Sequence, residues 1–319
     1  MSLLFTLLAA GGAASLFLRM WPRNPSRPAP PAEWPPVSII VPARNEEKVL
    51  PKLLASLKQL TYPHLEIIIV DDRSTDKTGE LARASGFKTI LSAERPARWK
   101  GPKSWACYTG AQEARGRYLL FTDADTTHQP QSVQVAVSHA LAKNLALLTT
   151  LPYHRCETLW ERLMGPFHFL LLASTAPYSK PSPGRVYANG QYLMFEREYY
   201  LGHGGHHHLT EHINDDLAAA NLCLRLGRPY EVLHERGLYQ VRMYDSLPAF
   251  VAGWARNFRF GFQYSSPFAG LTMTAYFCAL GFGAQWPLNL LIGAASWLLI
   301  ASTQRIYGNF SLAMLLLWP

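Results

Sequence analysis

Between residues 37 and 150 the apolar positions come in two alternating rhythms. Short β-branched runs at 37–41, 66–70, 88–91, 118–122 and 145–150 are separated by helical patterns at 47–60, 75–84, 104–114 and 130–142. Runs of four to six apolar residues between helix-period segments predict βα units and a largely parallel sheet. Ligands of such sheets bind beyond the carboxyl ends of the strands. The polar residues at those ends are Arg44, Asn45 and Glu46, then Asp71 and Asp72, then Asp123 and Asp125. The second half is less regular, with a strand expected at 191–195 and a helix at about 215–226.

Three longer apolar stretches differ from this pattern. Residues 3–18 and 268–304 carry no charge, and 312–318 begins a third run. A crossing takes about 20 residues, so the second stretch predicts two spans turning near Gln285, Trp286 and Pro287. Arg19, Arg23 and Arg27 follow the first stretch, which predicts an N-out anchor with the rest of the chain in the cytoplasm. Seven prolines between Trp21 and Pro36 predict an extended spacer. Phe250 to Phe262 interleaves aromatic residues with Arg256 and Arg259. That pattern suits a helix in the membrane interface, with an amphipathic core helix the near alternative. The expected organisation is an anchor at 1–20, a linker at 21–36, a catalytic domain at 37–249, an interfacial helix at 250–266 and C-terminal spans at 267–319.

Composition adds little to this. The 49% hydrophobic content is ordinary for a folded chain, and the net charge of +8 lies largely beside the apolar stretches without a nucleic-acid-binding motif. Nucleic acid is therefore not an expected partner. Cys107, Cys156, Cys223 and Cys278 lack paired short spacings and read as reduced thiols.

Chemistry enters with the acidic residues. Asp123 and Asp125, two positions apart after an apolar strand, can present oxygens to a hard cation that bridges diphosphate oxygens. Alone, Asp-x-Asp is common and usually marks a turn or a solvated loop; its place at a strand end of the βα series is what favours the metal reading. Asp71 and Asp72 suit hydrogen bonding to a base or ribose, or simple participation in a helix start capped by Ser74 or Thr75. The histidines at 203, 206, 207, 208 and 212 invite a zinc reading. Three consecutive ones point apart on any regular element, which favours a loop.

In order, Val37-Ser-Ile-Ile-Val-Pro-Ala-Arg-Asn-Glu46, Ile69-Val-Asp-Asp-Arg-Ser-Thr-Asp76 and Asp123-Ala-Asp125 resemble the signature of glycosyltransferase family 2. Lys103-Ser-Trp-Ala-Cys107, Asn189-Gly-Gln191, Gly204-Gly-His206, Asp215-Asp216 and Gly253-Trp-Ala-Arg-Asn257 are similar to its carotenoid- and hopanoid-associated membrane branch. The resemblance implies an α/β fold of the GT-A type, with a mainly parallel sheet and transmembrane helices at both ends. It also implies an inverting, metal-dependent hexosyltransferase that uses a UDP-sugar and a membrane lipid acceptor at the inner membrane.

Carried over by position, Pro42, Ala43, Arg44, Glu46, Asp71 and Asp72 form the uridine side. Asp123, Ala124 and Asp125 lie by Mg2+ or Mn2+ and the donor diphosphate, and Lys103, Gln191, His206 and Arg256 are further donor contacts. Asp216 is the expected general base, beside Asp215 where the family has glutamate. The family's Gly-Lys-x-Trp is stretched here to Gly101-Pro-Lys-Ser-Trp105, and Arg256 replaces a lysine. A related processive polysaccharide synthase is the enzymatic alternative, although its Gln-x-x-Arg-Trp is at best echoed by Gln240-Val-Arg242-Met-Tyr244. A catalytically silent nucleotide-sugar-binding scaffold is the other.

Overall fold

Strands β1 (Val37–Ala43), β2 (Leu65–Asp71), β3 (Lys88–Leu91), β4 (Tyr118–Phe121), β6 (Leu147–Thr150), β8 (Leu193–Glu196) and β9 (Tyr230–Leu233) form one sheet in the order β3-β2-β1-β4-β8-β6-β9. The coordinates are a computed structural model. It describes residues 27–311 except 98, 166, 169–171, 173–174, 176, 178–179, 183–184, 213, 234, 236 and 262–286, and also residues 7, 10–12 and 14. All neighbouring strands run parallel except β8, which is antiparallel to both β4 and β6.

The sheet is covered on both faces, as parallel sheets must be, because every βα crossover lays a helix on it. Alternate side chains of β1 and β2 therefore enter different cores. Ile40, Ile68 and Val70 pack with Ala106, Cys107 and Ala111 of α3 (Pro102–Gln112) and Ala218–Ala220 of α6 (Asp215–Arg225). Ile39, Val41 and Ile69 pack with α1 (Leu50–Leu57) and α4 (Ser132–Ala142). Burying each such aliphatic side chain contributes roughly 1.5–3 kcal/mol. The remaining crossover is α2 (Thr78–Ala84), which begins three residues later than the pattern predicts. Its N-cap is Lys77 without a side-chain bond, so Ser74 and Thr75 do not cap it.

A second, three-stranded sheet has the order β5-β10-β7, from β5 (Thr126–His128), β10 (Tyr239–Val241) and β7 (Tyr153–His154). Helix α5 (Leu159–Leu163) follows it, and α7 (Leu247–Gly261) lies where the interfacial helix is expected, starting three residues earlier. Phe250 of α7 is buried against Trp160, Phe167 and Trp254. The face of α7 that carries it is thus a packed core face.

Among the described residues no helix is long and apolar enough to cross a membrane. Where a second C-terminal crossing is expected stands α8 (Pro287–Tyr307), one side of which packs on the catalytic domain while Leu288, Leu291 and Leu298 are exposed. Ile292 and Ala301 lie against the core, Ser296 is buried, and Tyr307 is part of the core itself. The chain then docks further. Gly308 bridges to His154, and the Asn309 side chain accepts the Cys156 N–H at 2.6 Å and donates to its carbonyl at 2.8 Å. The expected anchor at 1–20, apart from the five residues above, the first part of the linker, most of the first C-terminal span and residues 312–319 lie outside the described residues.

Candidate active site

In the order β3-β2-β1-β4 the chain reverses its direction of growth between β1 and β4, and a crevice opens at their carboxyl ends. Pro42 helps open it. Asp72 N–H bonds to the Ala43 carbonyl on the β2 side, so the Pro42 backbone faces β4, whose pairing with β1 ends at Ile40 and Phe121. A proline there continues no ladder.

On one side of the crevice, Asp72 Oδ1 accepts a 2.6 Å bond from Ser92, and its Oδ2 lies 3.6 Å from the Arg44 guanidinium. Arg44 is 59% exposed, which leaves its donors free for a ligand. Asn45, at φ 57°, accepts the Thr75 N–H, while Thr78 accepts the Glu46 N–H at 2.7 Å. The β1 and β2 loops are thereby sewn together around Glu46, whose carboxyl is pushed up by burial and by Asp123 and Asp76. Asp71 points the other way. It accepts the Ser74 N–H at 2.9 Å and lies against Gly79, so it holds the turn under α2. Ala43 and Ala124 are buried in the core, leaving only their backbone to face a ligand.

At the centre, Asp123 Oδ1 lies 2.6 Å from Lys103 Nζ. The Asp123 carbonyl accepts the Thr126 N–H and hydroxyl, closing a turn that presents both Asp123 and Asp125. Asp125 is pushed up to about 8 by burial and by neighbouring Asp123, and its Oδ1 is buried without a hydrogen-bond partner. An orphaned carboxylate oxygen beside a second carboxylate fits a hard divalent cation, as do the oxygen-only donors. No group of three or more His, Cys, Asp or Glu assembles as a metal site among the described residues. Two carboxylates suit an ion that completes its shell with water and phosphate.

The far side is built from the N-terminus of α6. Asp216 Oδ1 accepts the Leu217 N–H at 2.7 Å and Oδ2 the Gly190 N–H at 3.0 Å. Burial and Asp215 raise its carboxyl to about 6. Burial also raises Asp215, partly opposed by Lys103. His206 is buried edge-on to Phe121, bonded through Nδ1 to the Tyr200 hydroxyl at 2.7 Å, with Nε2 3.6 Å from Asp215. Burial and Lys103 lower it to about 3, so it stays neutral beside Asp215. His207 and His208 are exposed, and the histidines form no metal cluster.

Gln191 is buried with its backbone carbonyl on Thr122 and its side-chain Oε1 unpartnered. Arg256 lies in α7, and its side chain is outside the described residues. The structure thus gathers Arg44, Glu46 and Asp72, then Lys103, Asp123 and Asp125, then Asp215 and Asp216 along one crevice. Sequence reading missed Ser92 and Tyr200 and gave Gly190 no role within Asn189-Gly-Gln191; their roles are set by partners 20, 6 and 26 residues away. The thiols of Cys107, Cys156 and Cys223 are free and buried.

A three-layer domain with a β8-type antiparallel insertion and acidic groups at the β1/β4 switch point is a nucleotide-diphospho-sugar transferase fold of the GT-A type. The chain belongs to glycosyl transferase family 2, whose model matches residues 38–201. A 4,4'-diaponeurosporenoate glycosyltransferase of Staphylococcus haemolyticus is 31% identical over 238 residues, covering 72% of this chain and 63% of that protein. One from Staphylococcus aureus is 29% identical over 231 residues, 70% of this chain and 61% of its own length. The match thus spans less than two thirds of either curated relative. Among solved structures, a mannosyltransferase from Pyrobaculum calidifontis in complex with GDP-Man and Mn2+ superposes with a TM-score of 0.60 at 19% identity, covering 99% of this chain and 97% of that one. That likeness is one of fold.

Proposed function

We propose that this protein transfers a hexose from a UDP-sugar to a lipid-like hydroxyl or carboxyl acceptor, with inversion, using Mg2+ or Mn2+. The observation that carries the proposal is the layout of the crevice. A carboxylate pair fit for a cation and diphosphate lies on one side of Lys103, and a carboxylate tuned to about 6 lies on the other. A base poised near neutral pH can take the proton of an incoming hydroxyl. Asp216 has this poise, and its two backbone bonds fix its direction. Arg44, Glu46 and Asp72 line the place for the nucleoside. Asp123 and Asp125 would hold the metal, which when bound neutralises charge on the departing diphosphate.

The lipid-like acceptor is supported by the carotenoid-associated relatives and by the uncharged stretches at 3–18 and 268–304. The basic residues after the first stretch support attachment to the cytoplasmic face of the inner membrane. The processive alternative is disfavoured by Arg242, which has Glu161 at 2.7 Å and Glu157 at 2.8 Å and so is occupied inside the protein. The test is transfer of labelled sugar from UDP- and GDP-hexoses into extractable lipid by wild type and D216N. A product that remains water-soluble polymer supports the processive reading, and nucleotide binding without any transfer supports the silent scaffold.

A further inference from the structure

Lys103 occupies a place that the proposed reaction needs for something else. Its ammonium lies 2.6 Å from Asp123 Oδ1. A Cβ built on Gly190 would come within 3.2 Å of the same nitrogen and 3.6 Å of Asp216 Oδ2. The ammonium therefore sits between the Asp123 carboxylate and the Asp215–Asp216 pair, and Gly190 keeps the space it fills. Asp123 and Asp215 both favour a cation at this place, with Asp216 across Gly190. In this structure Lys103 supplies it.

A divalent ion held by Asp123 and an ammonium in contact with the same oxygen repel each other at short range. Lysine is a point charge on a flexible stem, and 43% of this side chain is exposed, so it is free to move aside. It needs another anion to move to. A diphosphate in the crevice would be one.

We infer that Lys103 is a built-in competitor for the metal, and that metal and nucleotide diphosphate bind as a linked pair because the diphosphate takes over the ammonium. This rests on the proposed metal role of Asp123 and Asp125. In the free protein Lys103 shields Asp123 and weakens binding of a bare cation. With the diphosphate present, the same lysine becomes a donor contact. The linkage is reciprocal, since each ligand raises affinity for the other by the same factor.

The test is titration of the full chain with Mn2+, alone and with saturating UDP, followed by the electron paramagnetic resonance signal of free Mn2+. Wild type is expected to hold Mn2+ at least ~10-fold more tightly with UDP than without, within the usual range of linked sites. K103M is expected to bind Mn2+ alone ~10-fold more tightly than wild type, and to gain less from UDP. K103R, which keeps the charge, should retain the wild-type linkage. G190A presses a methyl against the ammonium and should shift Mn2+ affinity in the same direction as K103M. Equal or weaker Mn2+ binding by both K103M and G190A overturns the inference, because Lys103 then only orients Asp123. Binding of UDP but never of Mn2+, in any variant, overturns the metal reading and the inference with it.

Discussion

Asp216 Oδ2 accepts the backbone N–H of Gly190 at 3.0 Å, tying the first turn of α6 to the turn that leads into β8. The bond joins the helix that carries the proposed base to a strand lying between β4 and β6. Burial and Asp215 push the Asp216 carboxyl up, while the two backbone donors act to lower it. The balance lies at about 6, so the group is largely ionised at neutral pH and can still be protonated in turnover.

A base must be ionised to act, so kcat is expected to fall as pH drops through about 6. D216N should lower kcat by about 10²–10⁴-fold with little change in donor affinity. A loss confined to KM would contradict the assignment.

The same residue links activity to stability. Its folded pKa lies above the unfolded carboxylate value, so its contribution to stability is present below about pH 4 and lost as pH rises through about 6. Asparagine removes that dependence. D216N should therefore melt higher than wild type at pH 8, with the difference shrinking at pH 5, as thermal unfolding at the two pH values would show.

Gly79 leaves room for Asp71, since a Cβ there would clash with Asp71 Oδ2. G79A should destabilise the protein by about 1–3 kcal/mol, the usual range for overpacking. It should also weaken UDP binding, because the turn that Asp71 holds carries Asp72 on its β2 side. Unchanged denaturant midpoints would show that the turn relaxes freely.

Much of this arrangement is legible in the chain. The βα rhythm gives β1 to β4, β6 and the crossover helices, because each strand or helix is long enough to show its period. The small sheet is not legible, since Thr126–His128 and Tyr153–His154 are shorter than any periodic window. Nor is the direction of β8, which pairing with β4 and β6 decides and its own apolar residues do not. Asp71 and Asp72 look alike in sequence, yet Asp71 turns to Ser74 and Asp72 to Ser92, because successive residues of a strand end point to opposite faces. The contact of Lys103 with Asp123 spans two elements and has no local signature. The inner face of α8 is not legible either: Ile292, Ala301 and Tyr307 meet the core while Leu288, Leu291 and Leu298 are exposed, and composition alone does not tell the two sides apart.

Arg242 joins β10 to the start of α5 through Glu161 and Glu157. Glu161 is nearly buried and also accepts the N–H groups of Glu157 and Thr158, which with Arg242 hold its carboxyl low despite burial. Replacing Arg242 by methionine should cost about 1–3 kcal/mol, less than a fully buried pair because the arginine is partly exposed. Urea unfolding measures it, and sugar transfer per folded molecule should be unchanged.

Asn309 clasps Cys156 through both its side-chain oxygen and nitrogen. N309A leaves the Cys156 N–H without its partner and should cost about 1–3 kcal/mol. Hydrogen exchange at residues 154–157 should rise markedly in the variant. Unaltered protection would show that the backbone bonds to His154 and Arg162 and the burial of Phe310 hold the segment after α8 without the Asn309 side chain.

The most direct test of the whole account is transfer of radiolabelled hexose from a UDP-sugar into an organic-extractable fraction by membranes carrying wild type or D216N, with and without Mn2+ or Mg2+. The account predicts metal-dependent label in lipid from wild type and almost none from D216N. Equal label from both proteins, or none from wild type that binds UDP and metal, would contradict it.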